Sequence, residues 1–76
     1  MSDPTPIIAP MAASVISIDV EPGAAITRGQ QIAVLEAMKM QHEIAADVAG
    51  TVAEVVASAN AQIAADELIL RIEPAG

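Results

Sequence analysis

The 76-residue sequence contains no cysteine and no Phe, Trp or Tyr, and it sets only three cations against ten acids. Without cysteine there is neither a disulfide staple nor a thiolate metal site, so a chain this small must be held by regular packing alone. Without aromatic rings any core is assembled from Val, Ile, Leu, Met and Ala. The hydrophobic share of 54% is still too high for a disordered tail. Arg28, Lys39 and Arg71 are the cations, and the formal net charge is −7. That charge opposes phosphate binding, and no ring is present to stack on a base, which sets nucleic acid aside as a partner. The acidity reads as a solvated surface that keeps a small protein soluble. No apolar run nears the roughly 18 residues that span a bilayer. Residues 1–6 lack the basic region and apolar stretch of a signal peptide, so the expectation is a cytoplasmic protein with no membrane partner. A domain that hides only about 60% of its unfolded surface leaves little room for a deep enzymatic cleft.

What is present is a repeat. Laying residues 9–36 over 46–73, an offset of 37, aligns Ala9 with Ala46, Ala12 with Ala49, Val15 with Val52, Ala24 with Ala61, Ile26 with Ile63 and Glu36 with Glu73. Ile32 over Ile69 is a further identity, and near-matches keep apolar under apolar: Met11 with Val48, Ile18 with Val55 and Leu35 with Ile72. Gly23 falls over Asn60, and both residue types tolerate positive φ, so the same tight turn is expected twice. Before each turn runs a segment of period-2 alternation, Val15/Ser17/Asp19 against Ile16/Ile18/Val20 and Val52/Glu54/Val56 against Ala53/Val55/Ala57. After each comes a further extended candidate, residues 31–36 and 67–72. Pro4, Pro6, Pro10, Pro22 and Pro74 fall at ends or connections, where a missing donor does least harm. Two all-β halves, neither able to bury its own apolar face, would stack into two small sheets around one core.

The segment joining the halves, residues 37–45, pulls two ways. Leu35, Glu36, Ala37, Met38, Lys39, Met40, Gln41 and Glu43 are good helix formers, and Ile32, Leu35 and Met38 stand at helical spacing. The repeat instead predicts strand, tight turn, strand, because Glu36 ends a strand whose equivalent ends at Glu73. Lys39, the only lysine, sits in that connection between two methionines. A two-residue hairpin loop prefers Asn-Gly or Gly-X, and a large L-residue with positive φ costs roughly 1–2 kcal/mol. If Met38 and Lys39 form such a loop, something other than turn stability selected them. For an arbitrary Met-Lys-Met tripeptide the ordinary interpretation is a solvated amine on a surface helix; the repeat, which predicts a strand, a turn and a strand, weighs against the helix here.

These features together, Glu36-Ala37-Met38-Lys39-Met40 at mid-chain, Ala9-Pro10-Met11 at the start, Gly29-Gln30 before the extended residues 32–35, and Gly50-Thr51-Val52 in the second half, resemble the biotinyl domains of biotin-dependent carboxylases. The resemblance covers residues 7–73, with 1–6 as a flexible N-terminal segment and 74–76 as a tail. It implies a flattened barrel-sandwich of two small four-stranded antiparallel sheets with quasi-twofold symmetry. The shortness of residues 22–28 implies the thumbless type. It also implies that Lys39 is the attachment point for biotin, joined through its ε-amine by a biotin protein ligase, and that Glu36, Ala37, Met38 and Met40 are read by that ligase. The implied partners are the ligase, a biotin carboxylase and a carboxyltransferase, between which the carrier moves an activated carboxyl group. In the similar lipoyl domains the modified lysine usually sits between an acidic residue and alanine, so Met38 and Met40 favour biotin over lipoate.

Three scaffold positions depart from the family pattern. Ala12-Ala13 replaces a usual glycine, which leaves open which residue near Ala13 takes positive φ; Glu21-Pro22-Gly23-Ala24 and Ala59-Asn60-Ala61 replace a Glu-Gly-Asp turn. None touches Lys39. A single histidine, His42, makes no metal site, and Glu43 beside it points to the other face of a strand. Glu36 and Glu43 read as solvated carboxylates rather than general acids. No nucleophile and base pair, phosphate loop or metal cluster is found, so the chain is expected to be a non-catalytic carrier. The alternatives are a lipoyl carrier for acyl transfer, or an unmodified interaction module in which Lys39 is incidental.

Overall fold

The computed structural model describes residues 4–75; residues 1–3 of the expected N-terminal segment and Gly76 of the expected tail lie outside the described residues. Eight strands follow one another: β1 Thr5–Ile8, β2 Ala13–Ile18, β3 Ala25–Ile26, β4 Gln31–Ala37, β5 Met40–Ala45, β6 Gly50–Val55, β7 Gln62–Ile63 and β8 Leu68–Pro74. They form two four-stranded antiparallel sheets, ordered β1-β8-β6-β3 and β5-β4-β2-β7. The helix that local propensity favours over residues 35–43 does not form. Pairing of β4 with β2 on one side and β5 on the other supplies backbone partners and burial that an isolated helix there could not match.

The repeat at offset 37 is carried through to single hydrogen bonds. Strands β2, β3 and β4 become β6, β7 and β8 residue for residue, and each half places its strands alternately in the two sheets, in opposite order. Gly23 N–H donates to the Val52 carbonyl while Asn60 N–H donates to that of Val15; Gly29 donates to Ala46 while Asp66 donates to Ala9. Each half therefore closes the other's turns. The four residues take positive φ of 90°, 71°, 87° and 67° respectively. The connection after β2 is a tight turn on Gly23 with no protruding hairpin, as the shortness of residues 22–28 implies.

The core is built from equivalent pairs, Ala9 and Ala46, Val15 and Val52, Ile26 and Ile63, Ile32 and Ile69, Leu35 and Ile72, all buried and packed in one cluster. The expected strict alternation in β2 and β6 does not hold. The β2–β4 register shifts between Val15 and Ser17, and the β6–β8 register shifts between Val52 and Glu54. A bulge inserts one residue and reverses which face follows. Ile16 is thus turned outward, 40% exposed, while Val15 before it and Val20 after it are both buried. Strand β1 begins at Thr5, which pairs with Ile72, and Pro6 pairs with Arg71 within this edge strand, the kind of strand in which proline is tolerated.

Candidate functional site at the β4–β5 hairpin

β4 and β5 pair continuously from Ala33–Ile44 to Ala37–Met40, leaving Met38 and Lys39 as a two-residue loop. Their φ values are 54° and 65°, so both central residues are left-handed, as a loop of type I′ requires. Ordinary turn chemistry would place Asn-Gly here. The strain of two large side chains in this region is tolerated because the strands behind them are locked: Leu35, Ile32 and Ala33 of β4 are fully buried.

The hairpin stands clear of its sheet. The β2–β4 ladder ends at Ser14–Glu36, so Ala37, Met38, Lys39 and Met40 lie beyond it. Lys39 is exposed, Met38 is 94% exposed and Met40 63%. Glu36 is exposed and Ala37 partly buried, so four of the five residues from Glu36 to Met40 are exposed at the hairpin end. Among the described residues the one ion pair joins Arg71 and Glu54, far along the chain, and no hydrogen bond engages the Lys39 ammonium. An amine presented this way can be reached by an enzyme from outside and joined to a prosthetic group without moving any packed side chain. The donor set fits a covalently attached cofactor: one primary amine, unpaired, on a rigid turn.

No residue from Pro10 to Ala13 takes positive φ, which settles the open question at the Ala12-Ala13 replacement. His42 is half-buried opposite Leu35, and Glu43 is exposed on the other face. Among the described residues no three His, Asp or Glu side chains gather as metal donors. A shallow open groove of about 260 Å³ runs between the edges of β1 and β5, over Pro6, Ile8, Ile44 and Asp47, and its lining includes neither Lys39 nor His42. Gln41 is a residue that the motif does not point to. It is exposed across from Glu36 in the hairpin, and the signal that identifies it is the strand–turn–strand register around Lys39.

Comparison with known proteins bears on the same residues. The family model for biotin/lipoyl attachment, described as biotin-requiring enzyme, matches residues 5–72. The propionyl-CoA carboxylase alpha chain of Ruegeria pomeroyi is 36% identical over 67 residues, which cover 88% of this chain and 10% of that protein. The chain therefore spans about a tenth of the length of that curated relative. Among solved structures, a single-chain, multi-domain long-chain acyl-CoA carboxylase superposes with a TM-score of 0.91 at 28% identity, over 100% of this chain and 8% of the other. The lipoyl domain of the 2-oxoglutarate dehydrogenase complex from Azotobacter vinelandii superposes with a TM-score of 0.83 at 26% identity, over 95% of this chain and 99% of the other.

Proposed function

Since the chain belongs to the biotin/lipoyl attachment family, we propose that Lys39 is joined to biotin through an amide and carries an activated carboxyl group between a biotin carboxylase site and a carboxyltransferase site. The observation that carries this reading is the Met38-Lys39 turn itself, where two residues poorly suited to positive φ stand exposed beyond the end of the β2–β4 ladder. The relatives favour biotin over lipoate, since the propionyl-CoA carboxylase chain and the acyl-CoA carboxylase structure are both carboxylases.

Each part of the tip has a task. Amide formation needs an activated acyl group and a base to take the amine's proton, and a biotin protein ligase supplies both, so this chain needs neither. Glu36, Ala37, Met38 and Met40 form the surface that the ligase reads, with the flexible, polarizable thioethers adapting to more than one partner in turn. The hairpin's backbone bonds fix where the amine stands. Bound biotin would supply the carboxyl-carrying chemistry. Tethering lets the group meet each partner site at a high effective concentration while the domain itself binds weakly and leaves. The domain does no chemistry of its own, and it works in the cytoplasm.

A lipoyl carrier is the second reading, favoured by the likeness to the lipoyl domain of the dehydrogenase complex. Both are tested by the intact mass of the chain after co-expression with a biotin ligase and biotin, beside a Lys39→Ala variant. A single biotin adduct, absent from the variant, is the expected result. A lipoyl adduct from a lipoate-attaching enzyme, with none from the biotin ligase, would select the second reading. An unmodified, folded protein beside an active ligase sinks the biotin reading.

A further inference from the structure

The tip displays two thioethers beside its amine. Met38 is 94% exposed and Met40 63%, whereas Met11 is partly buried. The sequence has no cysteine to intercept an oxidant first. Neither Met38 nor Met40 belongs to the buried cluster or packs against it, so a change of polarity at either sulfur leaves the core untouched.

We propose that Met38 and Met40 are a paired oxidation site for hydroperoxides, and that their sulfoxides close the tip to the enzyme that modifies Lys39; the second clause rests on the carrier reading above. The sulfur lone pair attacks the terminal oxygen of the hydroperoxide, the S–O bond forms as the O–O bond breaks, and the sulfur gives up two electrons. The other oxygen leaves with a proton as the alcohol, or as water from hydrogen peroxide. A thiol-dependent methionine sulfoxide reductase reverses the step, two thiols becoming a disulfide while the sulfoxide oxygen departs as water.

The geometry makes this a switch rather than a lesion. In a core, a polar and chiral sulfoxide would disrupt packing; on this turn it changes only what an approaching partner meets. Met38 and Lys39 are adjacent and both left-handed, and Met40 opens β5 opposite Ala37, so the two sulfoxides would bracket the amine within a four-residue hairpin end. An apolar recognition surface thereby becomes a polar one at the point of contact.

The test uses the unbiotinylated protein, exposed to graded hydrogen peroxide and freed of it. Peptide mass mapping places the added oxygens, and a purified biotin ligase with biotin and ATP reports the rate of Lys39 modification. Among Met11, Met38 and Met40, oxygen is expected on Met38 first, on Met40 next and on Met11 last. The rate is expected to fall about tenfold, the effect of losing one well-buried apolar contact in the ligase complex, and to recover after sulfoxide reductase. The circular dichroism spectrum should not change. A Met38→Leu/Met40→Leu variant should keep its own rate, whatever that is, through the same treatment. Oxidation of Met11 as fast as Met38, or an unchanged rate after both sulfurs are oxidised, overturns the proposal. A ligase that never modifies the untreated protein fails the carrier reading and the switch with it, which the mass of the untreated sample distinguishes from failure of the switch alone.

Discussion

Met38 and Ala75 occupy equivalent places, 37 residues apart at the ends of β4 and β8, and the sheets hold them differently. At the end of β8, Gly50 pairs with Pro74 and Ala75 N–H donates to the Ala49 carbonyl at 2.9 Å. At the end of β4 the ladder to β2 stops at Ser14–Glu36, and no bond from Met38 to Ala12 is found among the described residues. The difference coincides with one substitution inside the repeat: Gly50 in β6 corresponds to Ala13 in β2. A Cβ on Gly50 would run into the Glu73 carbonyl, so β6 and β8 approach this closely only because residue 50 has none. With Ala13 in the first half, β4 is released one pair sooner and its hairpin stands free. Presentation of Lys39 is thus a matter of where a ladder ends.

The largest effect expected is at that glycine. Gly50→Ala forces β8 away from β6 and should cost roughly 3 kcal/mol, read as a fall in the urea midpoint, since the obstacle is backbone rather than a side chain that can swing aside. The reciprocal Ala13→Gly should cost only about 0.5–1 kcal/mol, the ordinary penalty of glycine in a strand. Equal costs at the two positions would mean that the exchange of Gly50 for Ala13 does not decide where the β2–β4 ladder ends.

The next effect has the opposite sign. The turns of the body put Gly23, Gly29, Asn60 and Asp66 at positive φ, residue types that accept it, while the tip puts Met38 and Lys39 there. Replacing the pair together, Met38→Asn with Lys39→Gly, should raise stability by about 2 kcal/mol in thermal or urea unfolding and abolish all modification of the chain. A double variant no more stable than the parent would mean that the loop is unstrained and that Met38 and Lys39 cost the turn nothing.

Much of this architecture is legible in the amino-acid sequence. The matched Gly23 and Asn60, with Val15 over Val52 and Ile26 over Ile63, mark two halves, and those halves outweigh the helix propensity of residues 35–43. The bulges are not legible. Ile16 and Ala53 carry no mark that separates a bulged residue from ordinary scatter in an alternating strand, because the bulge is set by how β4 and β8 pair across the sheet. The second pair of turns carries a fainter signal than the first, although Gly29 and Asp66 align at the same offset. That signal lies in the residues that follow: Gln30 Oε1 accepts from Thr27 N–H and Glu67 Oε1 from Ala64 N–H, the same cap built twice from two side chains of one shape. At the candidate site, composition shows only that Lys39 is the one lysine and lies between two methionines; its proposed role comes from the family resemblance. That the hairpin clears its sheet depends on Ala13 facing a ladder that only the fold reveals.

The smallest effect concerns a place where the halves differ without consequence for the tip. Arg71 of β8 pairs across from Glu54 of β6, and their side chains form an ion pair; the equivalent residues in the first half are Val34 and Ser17. Both side chains are substantially exposed, 41% and 52%, so water and salt screen most of the attraction, and ordering two mobile side chains offsets part of the rest. A double-mutant cycle with Glu54→Gln and Arg71→Met should return a coupling of no more than about 0.5 kcal/mol, shrinking further in 1 M salt. Copying the first half into the second, Glu54→Ser with Arg71→Val, should then leave the protein folded with nearly its original urea midpoint and an unchanged extent of Lys39 modification. A loss of several kcal/mol would instead mean that the ion pair holds β8 against β6, and that the firm end of the repeat owes its firmness to charge as well as to Gly50.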